Sequence, residues 1–174
     1  MVEKARQSGM TDQVLVRPAT SEDLPEVARI YNHAILNTTS TFDTEPKTVE
    51  RWRDVFVKHT DAYPLLVAEA GGRVVGWGAL RPSVDRPAAR FTVENAVYVD
   101  PDCQGTGIGS ALLGQIVERA RANGYHAVVG MVVAGNEASE RLHLKLGFQQ
   151  VGFMREVGWK FGRWLDLIVF EKLL

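Results

Sequence analysis

Between Val97 and Ala120 the chain reads VYVDPDCQGTGIGSALLGQIVERA. An alternating apolar stretch gives way to three glycines, Gly105, Gly107 and Gly109, and then to the apolar spacing of an amphipathic helix. A helix that begins near Gly107 has unpaired N–H groups in its first turn and partial positive charge at that end. Residues without side chains let a ligand touch those N–H groups, so the pattern describes an anion cradle suited to phosphate. A plain glycine-rich strand-to-helix turn has the same appearance, and both readings stand at this point. A Walker loop is excluded because GIGS carries no lysine. A dinucleotide fingerprint is excluded because Ser110, Ala111 and Leu112 follow Gly109, which breaks the G-x-G-x-x-G spacing. It would also sit after the first strand. A pyrophosphate of another kind, such as that of coenzyme A, remains. Cys103 has no basic partner near it in sequence and reads as inert rather than as an acyl-carrying nucleophile.

These residues need a frame to hold them. VLVR, from Val14 to Arg17, reads as a short strand ended by Pro18. A helix follows, with Thr20 as N-cap and Asp23 three residues on; Leu24, Val27, Ala28, Tyr31, Ala34 and Ile35 share one face. A polar loop leads to a second helix from Thr48 to about Lys58. Strands near Leu65–Ala70 and Arg73–Leu80 flank Gly71-Gly72, a tight hairpin signal. Residues 81–90 read as a loop, 91–100 as a long strand, and the glycine helix runs through Asn123 to a stop at Gly124. A buried-looking strand (126–133), a short helix (136–146) ended by Gly147 and two closing strands complete the order β-α-α-β-β-β-α-β-α-β-β. The central strand–helix–strand unit demands parallel pairing and the hairpin demands antiparallel pairing. A mixed α/β sheet with helices on both faces meets both demands.

The 174 residues suit one domain, 14–174, behind a polar leader, 1–13, in which Met10 is an alternative start. The leader lacks the apolar core of a secretory signal. No apolar run approaches the roughly 20 residues that span a bilayer. A net charge of −1 gives no broad field for nucleic acid or an anionic membrane. One cysteine excludes an internal disulfide and fits a reducing cytoplasm.

Gln104-x-x-Gly107-x-Gly109, after VYV and before ALL, resembles the acyl-CoA pyrophosphate loop of the GNAT superfamily of N-acetyltransferases. NEASERLHLKLGF (136–148) resembles that superfamily's next motif, and the strand order matches from Val14 to Leu174. TVENAVYV, GNEAS, LHLKLGF and KFGRWLDL resemble the branch that acetylates phosphinothricin, methionine sulfoximine and methionine sulfone. The resemblance implies a single-domain, mostly antiparallel GNAT-like sheet, acetyl-CoA as co-substrate with no metal, direct transfer to the α-amine of a small amino acid, and a cytoplasmic homodimer. Two rivals stand beside this reading: a GNAT enzyme for another amine (a protein N-terminus, a lysine or an aminoglycoside) and a CoA-binding sensor without turnover.

The same resemblance assigns residues. Main-chain groups of Val97, Tyr98 and Val99 hold the pantetheine arm. Gln104 and the N–H groups of Gly105, Thr106, Gly107, Ile108, Gly109 and Ser110 take the pyrophosphate. Asn136 either contacts the cofactor or caps the helix that starts at Glu137. Glu94, with Asn95 and Ala96 beside it, lies at the substrate and accepts the amine's proton. His143 stands where many members carry tyrosine; it protonates the departing sulfur or is a satisfied helix histidine. Arg81, in Arg81-Pro82-Ser83, takes the substrate carboxylate, with Arg90 the second candidate. The family often has an aromatic where this chain has Ser83, and about three extra residues stand between Arg81 and Glu94. Phe42, Phe161 and Trp164 are expected to wall the substrate mouth.

Overall fold

The computed structural model describes residues 14–174; the polar leader and Met10 lie outside the described residues. The elements are β1 (Leu15–Pro18), α1 (Leu24–Asn37), α2 (Val49–Phe56), β2 (Leu65–Ala70), β3 (Arg73–Pro82), β4 (Thr92–Val99), α3 (Ile108–Ala122), β5 (Ala127–Val133), α4 (Glu137–Lys145), β6 (Gln149–Lys160) and β7 (Arg163–Leu173). Their order is the expected one. Local chemistry explains the starts. The Thr20 N–H donates to Asp23 Oδ2 at 2.8 Å, in a 3₁₀ turn (Ser21–Asp23) that leads into α1. Asp23 also accepts from both Nη atoms of Arg17, at 2.7 and 2.9 Å. At α2 the Arg51 N–H donates to Thr48 Oγ1 at 3.2 Å.

One seven-stranded sheet has the order β1-β2-β3-β4-β5-β7-β6. Only β4 and β5 run parallel, because α3 is the crossover between them; every other neighbouring pair is antiparallel. α3 seats Leu112, Leu113 and Ile116 on one face, against Leu80 and Val93, with no exposure at any of the three. Each such side chain contributes roughly 1.5–3 kcal/mol by leaving water. On the opposite face α1 and α2 bring Leu24, Val27, Ile30 and Trp52 to Val67 and Trp77.

Strand alternation then decides which face every β4 residue serves. Val93, Val97 and Val99 turn to the α3 face, and Ala96 and Tyr98 turn to the α1–α2 face. β3 continues two residues beyond expectation. Arg81 and Pro82 belong to the strand, not the loop, and pair with Glu94 and Val93. Single-strand periodicity carries no information about the length of a cross-strand partner, so this extension was invisible in the sequence.

β4 and β5 pair only over Thr92–Asn95 against Ala127–Gly130. β4 then runs on through Ala96–Val99, and β5 through residues 131–133, without pairing to each other. The sheet forks at this point, and burial along β4 drops from full to partial as the strand passes it.

Candidate active site

Past the fork, Gly105 (φ +77°) and Gly107 (φ +91°) adopt the left-handed region, and Gly107 caps α3. A Cβ at either position would meet nothing within 4 Å. Glycine is therefore required by conformation at these two positions, which revises the expectation that missing side chains simply make room. Gly109 has no such torsion, and a Cβ there would touch Leu142 at 3.4 Å. Among the described residues, none of the six consecutive N–H groups from Gly105 to Ser110 finds an acceptor in the chain; the first bond of the helix is from the Ala111 N–H to Gly107 O, 3.0 Å. Two side-chain bonds shape the loop from behind, Thr106 Oγ1 to Cys103 O (2.6 Å) and Gln104 Nε2 to Val99 O (3.4 Å). Six orphan donors at a helix N-terminus fit a diphosphate, and the edge of Val97–Val99 turned away from β3, which β5 does not pair, fits an extended, amide-bearing arm. Asn136 caps α4, its Oδ1 accepting the Ser139 N–H at 3.3 Å.

The α1–α2 face carries charge instead. Glu94 is 7% exposed, and its carboxylate accepts from Arg81 Nη2 across the strand pair. The Arg81 side chain is 63% exposed, and Glu94 is the side-chain acceptor it meets among the described residues. Burial is the largest single influence and disfavours the Arg81 charge, but the Glu94 bond and charge, together with Tyr98 and Tyr31, outweigh it, and the guanidinium titrates above its ordinary value. Arg90 is not brought to this pair. It lies two residues before β4, its guanidinium 4.4 Å over the Phe91 ring and its Nη1 donating to Pro87 O. The Ser83 N–H bonds Thr92 O at 3.4 Å, and Pro82 pairs with Val93.

The α1–α2 loop closes one side of this region. The Tyr31 hydroxyl donates to Asp43 Oδ2 at 2.7 Å, and Lys160 Nζ donates to Thr41 O at 3.0 Å. Burial pushes the Lys160 pKa down, against the pull of Asp43. Phe42 lies so close to Gly158 that a Cβ there would be 2.7 Å from its ring. Phe42 therefore joins the loop to β6. Phe161 and Trp164 are both 58% exposed, and Trp164 packs edge-on to Trp159.

His143 stands at the fork on the α3–α4 face. Gly130 makes room for it: a Cβ on Gly130 would lie 2.4 Å from His143 Nε2. Asn95 Nδ2 donates to Val129 O at 3.0 Å, and Asn95 Oδ1 lies 3.3 Å from His143 Nε2. The expectation that Asn95 joins Glu94 and Ala96 at the substrate is corrected, because alternation turns it to the opposite face. His143 Nδ1 is 2.8 Å from Ser139 O. Both neighbours only accept, so both bonds coexist only on the charged ring. Burial lowers the His143 pKa, with the Ser139 carbonyl pulling the other way. A neutral ring keeping the shorter bond carries its proton on Nδ1 and presents a bare Nε2, which accepts a proton rather than donating one.

Sequence reasoning missed Gly130, Asn95 as the partner of His143, and Lys160. A glycine inside the strand AVVGMVV was the available signal for a close approach; nothing marked Lys160. Cys103, read as lacking a basic partner, has Arg73 Nη2 at 3.9 Å from its Sγ. Among the described residues no group of three or more His, Cys, Asp or Glu gathers as a metal site, and no helix is long and apolar enough to cross a membrane.

Six unpaired N–H groups at a helix start, a forked sheet and a buried carboxylate on the far face are the features that position this site. The profile described as Acetyltransferase (GNAT) family matches residues 27–148, and the chain belongs to that family. The L-methionine sulfoximine/L-methionine sulfone acetyltransferase of Pseudomonas paraeruginosa is 42% identical over 160 residues, 90% of this chain and 92% of that protein. The crystal structure of a phosphinothricin acetyltransferase from Sinorhizobium meliloti, in complex with AcCoA, is similar at TM-score 0.90 and 33% identity, over 92% of this chain and 88% of that one. A ribosomal-protein-alanine N-acetyltransferase from Brucella melitensis is similar at TM-score 0.90 and 38% identity, over 92% and 99%.

Proposed function

We propose that this protein is an acetyl-CoA-dependent N-acetyltransferase for the α-amine of a small amino acid such as methionine sulfone, methionine sulfoximine or phosphinothricin. The observation that carries this reading is the Arg81–Glu94 pair beside the fork. A free amino acid presents an ammonium and a carboxylate on one carbon, and an adjacent carboxylate and guanidinium are their complement. Arg81 keeps outward donors for the substrate carboxylate. Glu94 then faces the ammonium and accepts its proton, directly or through one water, leaving a lone pair on nitrogen. Acetyl-CoA supplies the acyl carbon: the N–C bond forms, the C–S bond breaks, the second proton of the attacking nitrogen passes to water, and CoA leaves as thiolate. The N–H groups of 105–110 and the main chain of Val97, Tyr98 and Val99 hold the donor on the other side of the fork. Coenzyme A thiolate is a tolerable leaving group, so the reaction runs without a proton from His143. That residue fills the space that Gly130 leaves at the fork, beside Asn95 and against Phe148 and Phe170.

Relatives named for amino-acid acetylation support the acceptor, and a neighbour named in complex with AcCoA supports the donor. A protein N-terminus lacks a carboxylate beside its amine, so Arg81 argues against that rival. A homodimer is part of the same proposal. The edge strand β6 exposes Val151, Phe153, Met154 and Trp159 at 45–56%, an apolar edge that a second copy would cover. One cysteine in the chain suits a cytoplasmic enzyme, whose product would be detoxified by loss of its charged amine. The test is thiol release from acetyl-CoA with L-methionine sulfone, methionine sulfoximine, phosphinothricin, their α-amides, polyamines and peptides. Release with the free amino acids alone is expected. Release only with peptides overturns the acceptor, and binding of acetyl-CoA without release for any amine makes the protein a sensor.

A further inference from the structure

Asp100 directly follows β4 and begins the turn into the six orphan N–H groups. Its side chain is 1% exposed. Every polar group on it is engaged: its N–H donates to Val75 O (2.9 Å), its carbonyl accepts the Cys103 N–H (2.9 Å), Oδ1 accepts the Asp102 N–H (3.1 Å), and Oδ2 accepts Arg29 Nη2 (2.5 Å). From Cys103 the chain of bonds continues through Thr106 Oγ1 to Cys103 O, inside the loop itself. Arg29 projects from α1, the helix that walls the acceptor face, and its Nε and Nη2 also hold Glu26. Arg73, near Cys103, adds a further positive charge to the neighbourhood of Asp100.

A buried carboxylate at the entrance of an anion cradle opposes its ligand electrostatically. It is tolerated there only when paired. We propose that Arg29 is a positioning residue for the acyl donor: by neutralising Asp100 it holds the β4–α3 turn in shape and lets the N–H groups of 105–110 receive a diphosphate. This inference rests on the reading of 105–110 as the diphosphate loop. It ties the donor loop to a residue of α1 that stands 71 positions before Asp100.

The test is calorimetric binding of CoA to wild type, Arg29→Met, Asp100→Asn and the double variant at one ionic strength, with steady-state kinetics alongside. Methionine keeps an apolar stem on a side chain already 43% exposed, so folding is expected to survive; Arg29→Lys, which keeps the charge, is the second variant. Arg29→Met should weaken CoA binding about tenfold or more and raise KM for acetyl-CoA equally, within the range of site-to-site couplings. KM for the amino acid and kcat should stay within about twofold, and Arg29→Lys should lie between wild type and Arg29→Met. Adding Asp100→Asn to Arg29→Met should restore most of the affinity, because the charge that Arg29 offsets is gone; a purely structural tie would stay broken. Unchanged CoA affinity in Arg29→Met, or no recovery in the double variant, overturns the inference. Wild type that fails to bind CoA overturns the loop reading and this inference together.

Discussion

The two sides of the fork are built from different materials. On the proposed reading the donor side uses main chain: six N–H groups after β4 without acceptors among the described residues, and a strand edge left unpaired past Asn95. The acceptor side uses side-chain charge: Glu94 opposite Arg81, with Asp43 and Lys160 in the loop and hairpin beyond. Main-chain donors suit a ligand part that never changes, since a diphosphate asks only for N–H groups and positive dipole. Side chains suit the part that must be told apart from other amines, and the part whose proton must move. Changes on the donor side should therefore act on donor affinity, and changes on the acceptor side on turnover and selectivity.

The largest effect should break the donor side. Gly107→Val forces a β-branched residue to φ +91° and redirects the helix's first N–H groups. CoA binding measured by calorimetry should fall by about a hundredfold or more, from backbone strain of order 1–3 kcal/mol plus lost hydrogen bonds. Unaltered affinity would remove the loop from the site. Next, Glu94→Gln keeps the shape and the bond to Arg81 but cannot take a proton. Its kcat should drop by about 10²–10⁴-fold, the usual value of a positioned base, while CoA affinity stays within about twofold. Arg81→Met should raise KM for the free amino acid about tenfold or more, as expected when a charged hydrogen bond of about 1.5–3 kcal/mol is lost, with little change for its α-amide. An equal loss for both would show that the guanidinium serves Glu94 and not the substrate. His143→Gln reports on the fork between the two sides. Burial holds the folded His143 pKa below the ordinary 6.5, so its neutral form contributes stability above that value and loses it as pH falls through the folded pKa. The glutamine variant should lose part of the acid-side fall in melting temperature. The smallest effect is expected at Arg90→Ala, where the side chain serves only its own loop and Phe91, and KM should move by about twofold or less.

The donor side was largely legible. A run of glycines at a strand-to-helix turn is a local signal, because the positive φ at Gly105 and Gly107 and the unpaired first turn follow from sequence neighbours alone. The acceptor side was legible only in its residue types. Arg81 and Glu94 were both named, yet their direct opposition depends on β3 extending to Pro82 and on a register that no single strand records. Asn95 was expected beside Glu94 at the substrate, yet its side chain lies on the other face, because adjacency along a strand means separation across the sheet. His143 and Asn95 are 48 positions apart and meet only because Gly130 lets α4 approach β5.

By itself the sequence determined the element order, the parallel crossover at β4–α3–β5 and the glycine turn with its unpaired first N–H groups, because each follows from periodicity, caps and torsional preference over a few neighbouring residues. Only the tertiary structure decided where β4 parts from β5, which face each of its side chains serves, and that a carboxylate at 94 meets a guanidinium at 81. Those outcomes come from pairing between distant strands, where the energy of register and burial is shared by residues that no local pattern connects.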